Sequence, residues 1–281
     1  MKYKFFSTLF IVLIWVSCEN KQTTSAKKIR LRVKGSDTVF PLTKLFCTAF
    51  QQQHKNYVLS VEGGGTTRGI RALLNNECEI AAASRELKNS EKEKVDSLKM
   101  QLSSQIIAYD GLAVIVNLKN KKSQITSEQL VDIYRGKIIN WWYLGGSFEK
   151  IVVYALDKTN GTDEFFRDKI MGEKNYSSSV IRVNNLAQLA KRIAENKGAI
   201  GYCNINALNE KTNYLSISFD SSKTFIAPNS FNVQNRTYKI SRSLQYFYET
   251  SKQEIVQPLL DFSKSNLGKR NVVESGFIPI Q

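Results

Sequence analysis

From residue 28 onward the chain repeats one grammar. Lys28-Ile29-Arg30-Leu31-Arg32-Val33 alternates polar and apolar residues with the period of a half-buried strand. Pro41 then opens a segment whose Leu42, Leu45, Phe46, Ala49 and Phe50 share one helical face, a proline being suited to a first helical turn. The same order returns from residues 57–61 through Gly63-Gly64-Gly65 into a helix carrying Ile70, Leu73 and Leu74. Residues 79–83 read as a buried strand, 111–116 as a continuous apolar one, and 128–134 as a short helix closed by Gly136. A strand at 151–154 leads into Thr159-Asn160-Gly161-Thr162 and a helix with Phe165, Phe166 and Ile170. Leu186, Leu189, Ala190 and Ile193 mark a further helix before a strand at 199–203. Ile255, Leu259 and Phe262 predict a helix that tolerates Pro258 in its early turns. Strands alternating with helices in this way predict an α/β architecture.

The N-terminus departs from this grammar. Lys2 and Lys4 precede an apolar run over residues 5–16 that stops at Ser17-Cys18, the order of an export signal, and the run is too short to span a bilayer about 30 Å thick. Trp15-Val16-Ser17-Cys18 resembles a lipobox, with Trp15 an unusual opening residue, so residues 1–17 are expected to be a lipoprotein signal and Cys18 the lipidated thiol. A plain cleaved signal with an incidental cysteine is the alternative. Residues 18–27, rich in Thr, Ser, Lys and Gln, have the composition of a flexible tether.

Charge and rare residues narrow the chemistry. The 281 residues carry a formal net charge of +15, and loss of the segment before Cys18 removes two lysines and no acids, leaving +13. Such a charge suits nucleic acid, an anionic surface or an anionic solute. The basic residues are scattered and never interleaved with aromatics in a block, which argues against nucleic acid. Cys47, Cys78 and Cys203 lack metal-ligand spacing; one pair could bridge outside the cytoplasm, but the odd count and wide spacing favour small buried thiols. One histidine, His54, in a polar stretch leaves little for a His-based catalytic or metal site.

Four loops at the carboxyl ends of predicted strands are rich in Gly, Ser and Thr: 35–38, 63–67, 83–85 and 159–162. Open α/β sheets bind ligands outside those strand ends. There, glycine admits close backbone approach, the next helix presents its first N–H groups, and hydroxyls add donors. Any one loop is most simply a helix cap. Four together, with Arg85 able to donate two parallel bonds, suit an anion with several oxygens.

Gly35-Ser36-Asp37-Thr38-Val39, Glu62-Gly63-Gly64-Gly65-Thr66-Thr67-Arg68-Gly69-Ile70, Ala83-Ser84-Arg85-Glu86-Leu87, Asp110-Gly111-Leu112-Ala113-Val114 and Gly198-Ala199-Ile200-Gly201-Tyr202 occur in the order seen in the phosphate-binding proteins of ABC transporters, which the chain resembles over essentially all of its mature length. Residues 126–142 and Ser275-Gly276-Phe277-Ile278-Pro279 fit the same family. The resemblance implies a type II periplasmic binding protein fold: two α/β lobes joined by crossover strands, the first built from residues 28–110 and 211–281 and the second from 111–210. It implies a monomeric periplasmic lipoprotein, anchored to a membrane, that closes over inorganic phosphate or a related oxyanion and delivers it to a permease, with no catalysis, cofactor or metal. Carried over by position, the ligand donors would be Ser36, Thr38, Val39, Thr66, Ser84, Arg85, Asn160, Gly161 and Thr162. Two departures matter. Leu156 stands where the family usually has an arginine, and Arg85 stands where some members have the aspartate that accepts the ligand's proton. This shifts the expected positive charge onto Arg85, with Arg68 as a second cation or a merely solvated one. It leaves Asp37, Asp110 and Asp157 as candidate acceptors, each otherwise a cap or turn carboxylate. The rival readings are an anion sensor or adhesin of the same fold and a phosphate-ester hydrolase.

Overall fold

The structure is a computed structural model that describes residues 28–281; the expected signal segment and tether, with Cys18, lie outside the described residues. The chain opens with β1 (Ile29–Gly35), α1 (Phe40–Gln53), β2 (Tyr57–Glu62), α2 (Thr66–Leu74), β3 (Ile80–Ala83) and α3 (Asn89–Ser97). It continues through β4 (Leu102–Asn117), β5 (Gln124–Thr126), α4 (Ser127–Tyr134), β6 (Val152–Leu156), α5 (Gly161–Ile170), β7 (Ile181–Val183), α6 (Leu186–Glu195) and β8 (Ala199–Asn204). Short β9 (Thr212–Tyr214), β10 (Ser216–Ser218) and α7 (Ser230–Gln234) follow, then β11 (Ser241–Glu249), α8 (Gln253–Lys264), α9 (Asn266–Glu274) and β12 (Ile278–Pro279).

Two lobes share one strand. In the first, β1 pairs in parallel with β2 and β3, and β11 closes the sheet antiparallel to β3 and β4. Leu31, Val33, Leu42, Phe46, Phe50, Tyr246 and Leu259 fill the core under α1 and α8, while Ile70, Leu73, Ala81 and Phe247 pack on the opposite face. In the second lobe the far half of β4 pairs antiparallel with β8, which lies parallel to β6, and β6 lies parallel to β7. Val114, Val116, Trp141, Phe166, Leu189 and Tyr202 fill that core.

The 16 residues of β4 cross from one core to the other, with residues up to Gly111 paired to β11 and residues from Leu112 paired to β8. The chain returns beside this crossing, where the Leu112 N–H donates to Ile240 O at 3.0 Å and Ser241 pairs with Gly111. The return therefore falls some 30 residues later than the expected 211. Segment 211–240 belongs to the second core because β9 pairs with β4, β10 pairs with β5, and Leu215, Ile217, Val233, Tyr238 and Ile240 are buried there.

One detail of α1 differs from the periodic reading. Leu45 is 41% exposed and Thr43 is buried in its stead. The Thr43 hydroxyl lies 2.8 Å from Tyr246 Oη, so a satisfied polar pair takes the inner position. The three described cysteines are buried and unpaired, and burial pushes the Cys47 and Cys203 thiols up to about 12 and Cys78 to about 11. His54 stacks on Phe50 at 4.0 Å, away from the strand ends.

Candidate functional site

A cleft of about 940 Å³ opens where the two lobes meet. Its first wall is built by the ends of β1 and β3 and the start of α2. Gly35 holds φ +150, and a Cβ there would sit 2.0 Å from Ala82 O, so only glycine lets the two strand ends close up. That approach brings three hydroxyls together. The Ser36 hydroxyl donates to Ser84 Oγ at 3.1 Å, the Thr66 and Ser84 hydroxyls lie 3.4 Å apart, and the Ser84 N–H donates to Thr66 Oγ1 at 3.2 Å. Helix α2 begins after Gly65 with no side-chain cap, so the first-turn N–H groups, beside the cleft-lining Gly64, Gly65, Thr66 and Thr67, keep their donor capacity and the positive end of the helix dipole.

Thr38 lines the same wall, whereas Val39 is fully buried and its N–H already donates to Ser36 O at 3.1 Å. Arg85 reaches the cleft, but its guanidinium forms a two-pronged pair with Glu91, Nη1 to Oε2 at 2.8 Å and Nη2 to Oε1 at 2.9 Å, and also donates to Thr67 Oγ1 and Glu86 O. Burial pushes the Glu91 carboxyl up, but the bonds from Arg85 and from the Lys88 N–H outweigh it and hold the carboxyl below its usual range. The expected cation is thus largely neutralised within its own lobe. Arg68 is exposed, folded over Gly64, and does not line the cleft.

A different arginine, absent from the sequence reading, occupies the hinge. Arg242 on β11 donates through Nε to Asp110 Oδ2 at 2.9 Å, its Nη2 lies 2.8 Å from the same oxygen, and Nη2 also reaches Thr38 Oγ1 at 3.4 Å. Its guanidinium lies 4.1 Å from the centre of the Phe165 ring on α5, so it touches both lobes. Asp110, 4% exposed, is consumed by this pair.

The second wall is α5 with the loop before β11. Asn160 caps α5 by accepting from the Thr162 N–H at 2.9 Å; Gly161 lines the cleft, whereas Asn160 and Thr162 do not. Lys169 and Lys239 line this wall, and among the described residues neither has an acidic group within salt-bridge distance. Burial by its surroundings and then the field of Arg242 push the Lys169 ammonium below its ordinary range; Asp168 opposes this and Lys239 adds to it. Glu164 and Asp168 line the same wall, but these crowded cations, held in no salt bridge, face a polar wall and favour an anion between them.

Leu156, in place of the family's arginine, is buried, and its N–H donates to Tyr202 Oη at 3.0 Å. The start of α5 is held from behind by Asp163, fully buried, which accepts from Tyr202 Oη at 2.7 Å, Tyr176 Oη at 3.3 Å and Arg182 Nη1 at 3.1 Å. Of the three carboxylates considered as acceptors, Asp37 alone lines the cleft, accepting from the Gly64 N–H at 2.7 Å. Asp157 is a turn carboxylate, bonded by the Thr159 N–H and hydroxyl, which hold it below its usual range. Among the described residues no group of three or more His, Cys, Asp or Glu is placed to hold a metal.

Comparison with known proteins follows this geometry. A family model described as a PBP superfamily domain matches residues 20–266. The protein SphX of Synechococcus elongatus is 28% identical, covering 92% of this chain and 80% of its own length. The phosphate-binding protein PstS of Staphylococcus saprophyticus is 27% identical over 99% of this chain and 90% of its own. The crystal structure of an ABC-type phosphate transport receptor from Vibrio cholerae superposes with a TM-score of 0.76 at 27% identity, covering 90% of this chain and 100% of that one.

Proposed function

The chain belongs to the PBP superfamily, and we propose that it is the solute-binding component of an ABC importer, capturing inorganic phosphate between its lobes and presenting it to a membrane permease. It is a binding protein and not an enzyme, in keeping with relatives named for phosphate binding and transport. The observation that carries the ligand is the convergence of the Ser36, Thr66 and Ser84 hydroxyls at the uncapped start of α2, opposite Lys169 and Lys239.

In this reading the anion docks first on the hydroxyl and N–H wall, where each charge-assisted bond contributes about 1.5–3 kcal/mol. Arg242, which reaches Thr38 as well as Asp110 at the hinge, supplies the guanidinium on this wall, whereas the Arg85 guanidinium bonds all stay within its own lobe, to Thr67, Glu86 and Glu91. Rotation about the β4/β11 crossing then brings Gly161, Lys169 and Lys239 onto the open side of the ligand, so binding favours the closed form. Asp37 serves as the acceptor for the proton of hydrogen phosphate, a proton that sulfate lacks at neutral pH. A lipid on Cys18 keeps the protein beside its permease and raises its local concentration there.

Calorimetric titration with phosphate, sulfate, arsenate and molybdate tests this. Phosphate and arsenate are expected to give saturable heats and sulfate to bind at least about tenfold more weakly, a gap that Asp37→Asn narrows. Heat from molybdate or sulfate but none from phosphate would overturn the ligand while leaving the fold untouched.

A further inference from the structure

At the end of the second lobe remote from the cleft, the turn before β6 carries Trp142, Tyr143 and Phe148, 49%, 59% and 84% exposed, with Ile139 at 53% beside them. The three rings are stacked on one another, Trp142 to Tyr143 at 4.4 Å and Trp142 to Phe148 at 6.4 Å between centroids, so they form one continuous face. Trp141 in the same turn is buried and donates to Gly198 O at 3.0 Å, which anchors the turn beneath the exposed outer rings. Exposing such a face costs solubility, and a contiguous apolar patch of this kind marks an interaction site.

Its surroundings are basic. The Lys122 ammonium donates to Leu144 O at 2.6 Å, which brings the loop carrying Lys119 and Lys121 against the turn. Exposed Lys150 follows Phe148 by two residues, and Lys197 precedes the Gly198 that receives the Trp141 bond. At about 200 Å² for a fully exposed aromatic side chain, the three exposed fractions amount to roughly 380 Å², to which Ile139 adds. A stable protein interface takes about 800 Å² from each partner, so the patch is small for a dimer. Three rings of this type with a cationic rim match the headgroup region of a bilayer, where Trp and Tyr concentrate and anionic lipids attract lysine.

We propose that this face is a membrane-docking surface for anionic lipid, seating the lobe of Trp142, Tyr143 and Phe148 on the bilayer by a contact separate from any lipid on Cys18. The cleft stays open in this pose, because the patch follows the far end of β4 and precedes β6, whereas the cleft lies beyond the opposite end of β6. The contact holds the second lobe near the bilayer independently of whether the cleft is filled.

The test is amide exchange on the full chain reconstituted into vesicles of phosphatidylcholine alone or mixed equally with phosphatidylglycerol, so that any N-terminal anchor is common to both. Exchange across residues 139–150 is expected to slow roughly tenfold on the anionic vesicles relative to the neutral ones. The slowing should vanish in Trp142→Ser/Tyr143→Ser/Phe148→Ser at an unchanged thermal midpoint. Equal exchange on the two vesicles, or slowing that survives the triple substitution, overturns the proposal. Slowing that instead grows with protein density on phosphatidylcholine assigns the face to a second copy of the chain and overturns it equally.

Discussion

The two walls of the cleft are unlike. The first presents hydroxyls and an uncapped helix end, and its two guanidiniums are already engaged, Arg85 by Glu91 and, at the hinge, Arg242 by Asp110, with Lys88 at its margin. The second presents a helix whose end is capped by its own Asn160, with Lys169, Arg236 and Lys239 beside Glu164 and Asp168 and none of them in a salt bridge among the described residues. Direction and shape therefore come from one lobe and most of the cations free of a salt bridge from the other. A ligand must satisfy both, which neither a neutral hydroxyl-rich molecule nor a halide ion does well.

The sharpest way to break this division is Arg242→Ala. It leaves Asp110 buried and unpaired, with an expected loss of about 2–4 kcal/mol in unfolding free energy and of phosphate affinity by about a hundredfold, read by thermal unfolding and calorimetry. Arg242→Lys should recover the stability better than the affinity, because an ammonium cannot contact Asp110, Thr38 and the Phe165 face together. Next in size, Ser84→Ala removes the hydroxyl between Ser36 and Thr66, and affinity should fall about tenfold to fiftyfold with little change in melting. Lys169→Gln/Lys239→Gln should weaken binding about tenfold and flatten its dependence on salt, since these exposed cations act through a screened field. A double variant with unaltered salt dependence would falsify the assignment of free charge to the second wall.

The smallest effect is expected for Arg85→Ala: less than about threefold in affinity. Its signature lies in acid stability. The Glu91 carboxyl is depressed in the folded chain, so the pair stabilises fully above the unfolded value of about 4.3 and loses its contribution as pH falls through the lower folded value. The acid limb of a pH–stability curve should be shallower in the variant than in the parent. A large loss of phosphate binding would instead restore Arg85 as the principal cation.

Much of the first wall was legible because its donors are local. Ser36, Thr66 and Ser84 each follow a strand by one to four residues, and strand ends next to glycine are readable from sequence. What stayed hidden depends on distant partners. Residues 102–110, with Leu102-Ser103-Ser104-Gln105, are too polar to read as a strand alone and become one because β11 pairs with them. Arg242 lies in a polar Ser-Arg-Ser run, and its partner Asp110 is 132 residues away. Arg85 was visible, but its neutralisation by Glu91 depends on how the loop turns into α3. The placement of 211–240 failed for a related reason: strands of three residues carry too few apolar positions to declare which core they join.

The position of Arg242 on the β4/β11 crossing has a mechanical consequence. In any rotation the parts nearest the fulcrum travel least, and in the proposed closure the crossing is the fulcrum. As the jaws part, the lysines of α5 and the loop before β11 swing away from the hydroxyl wall while the guanidinium scarcely shifts. On the proposed reading the ion is thus gripped by the rims only at the end of closing, while Arg242 at the axle keeps its place beside the hydroxyl wall throughout.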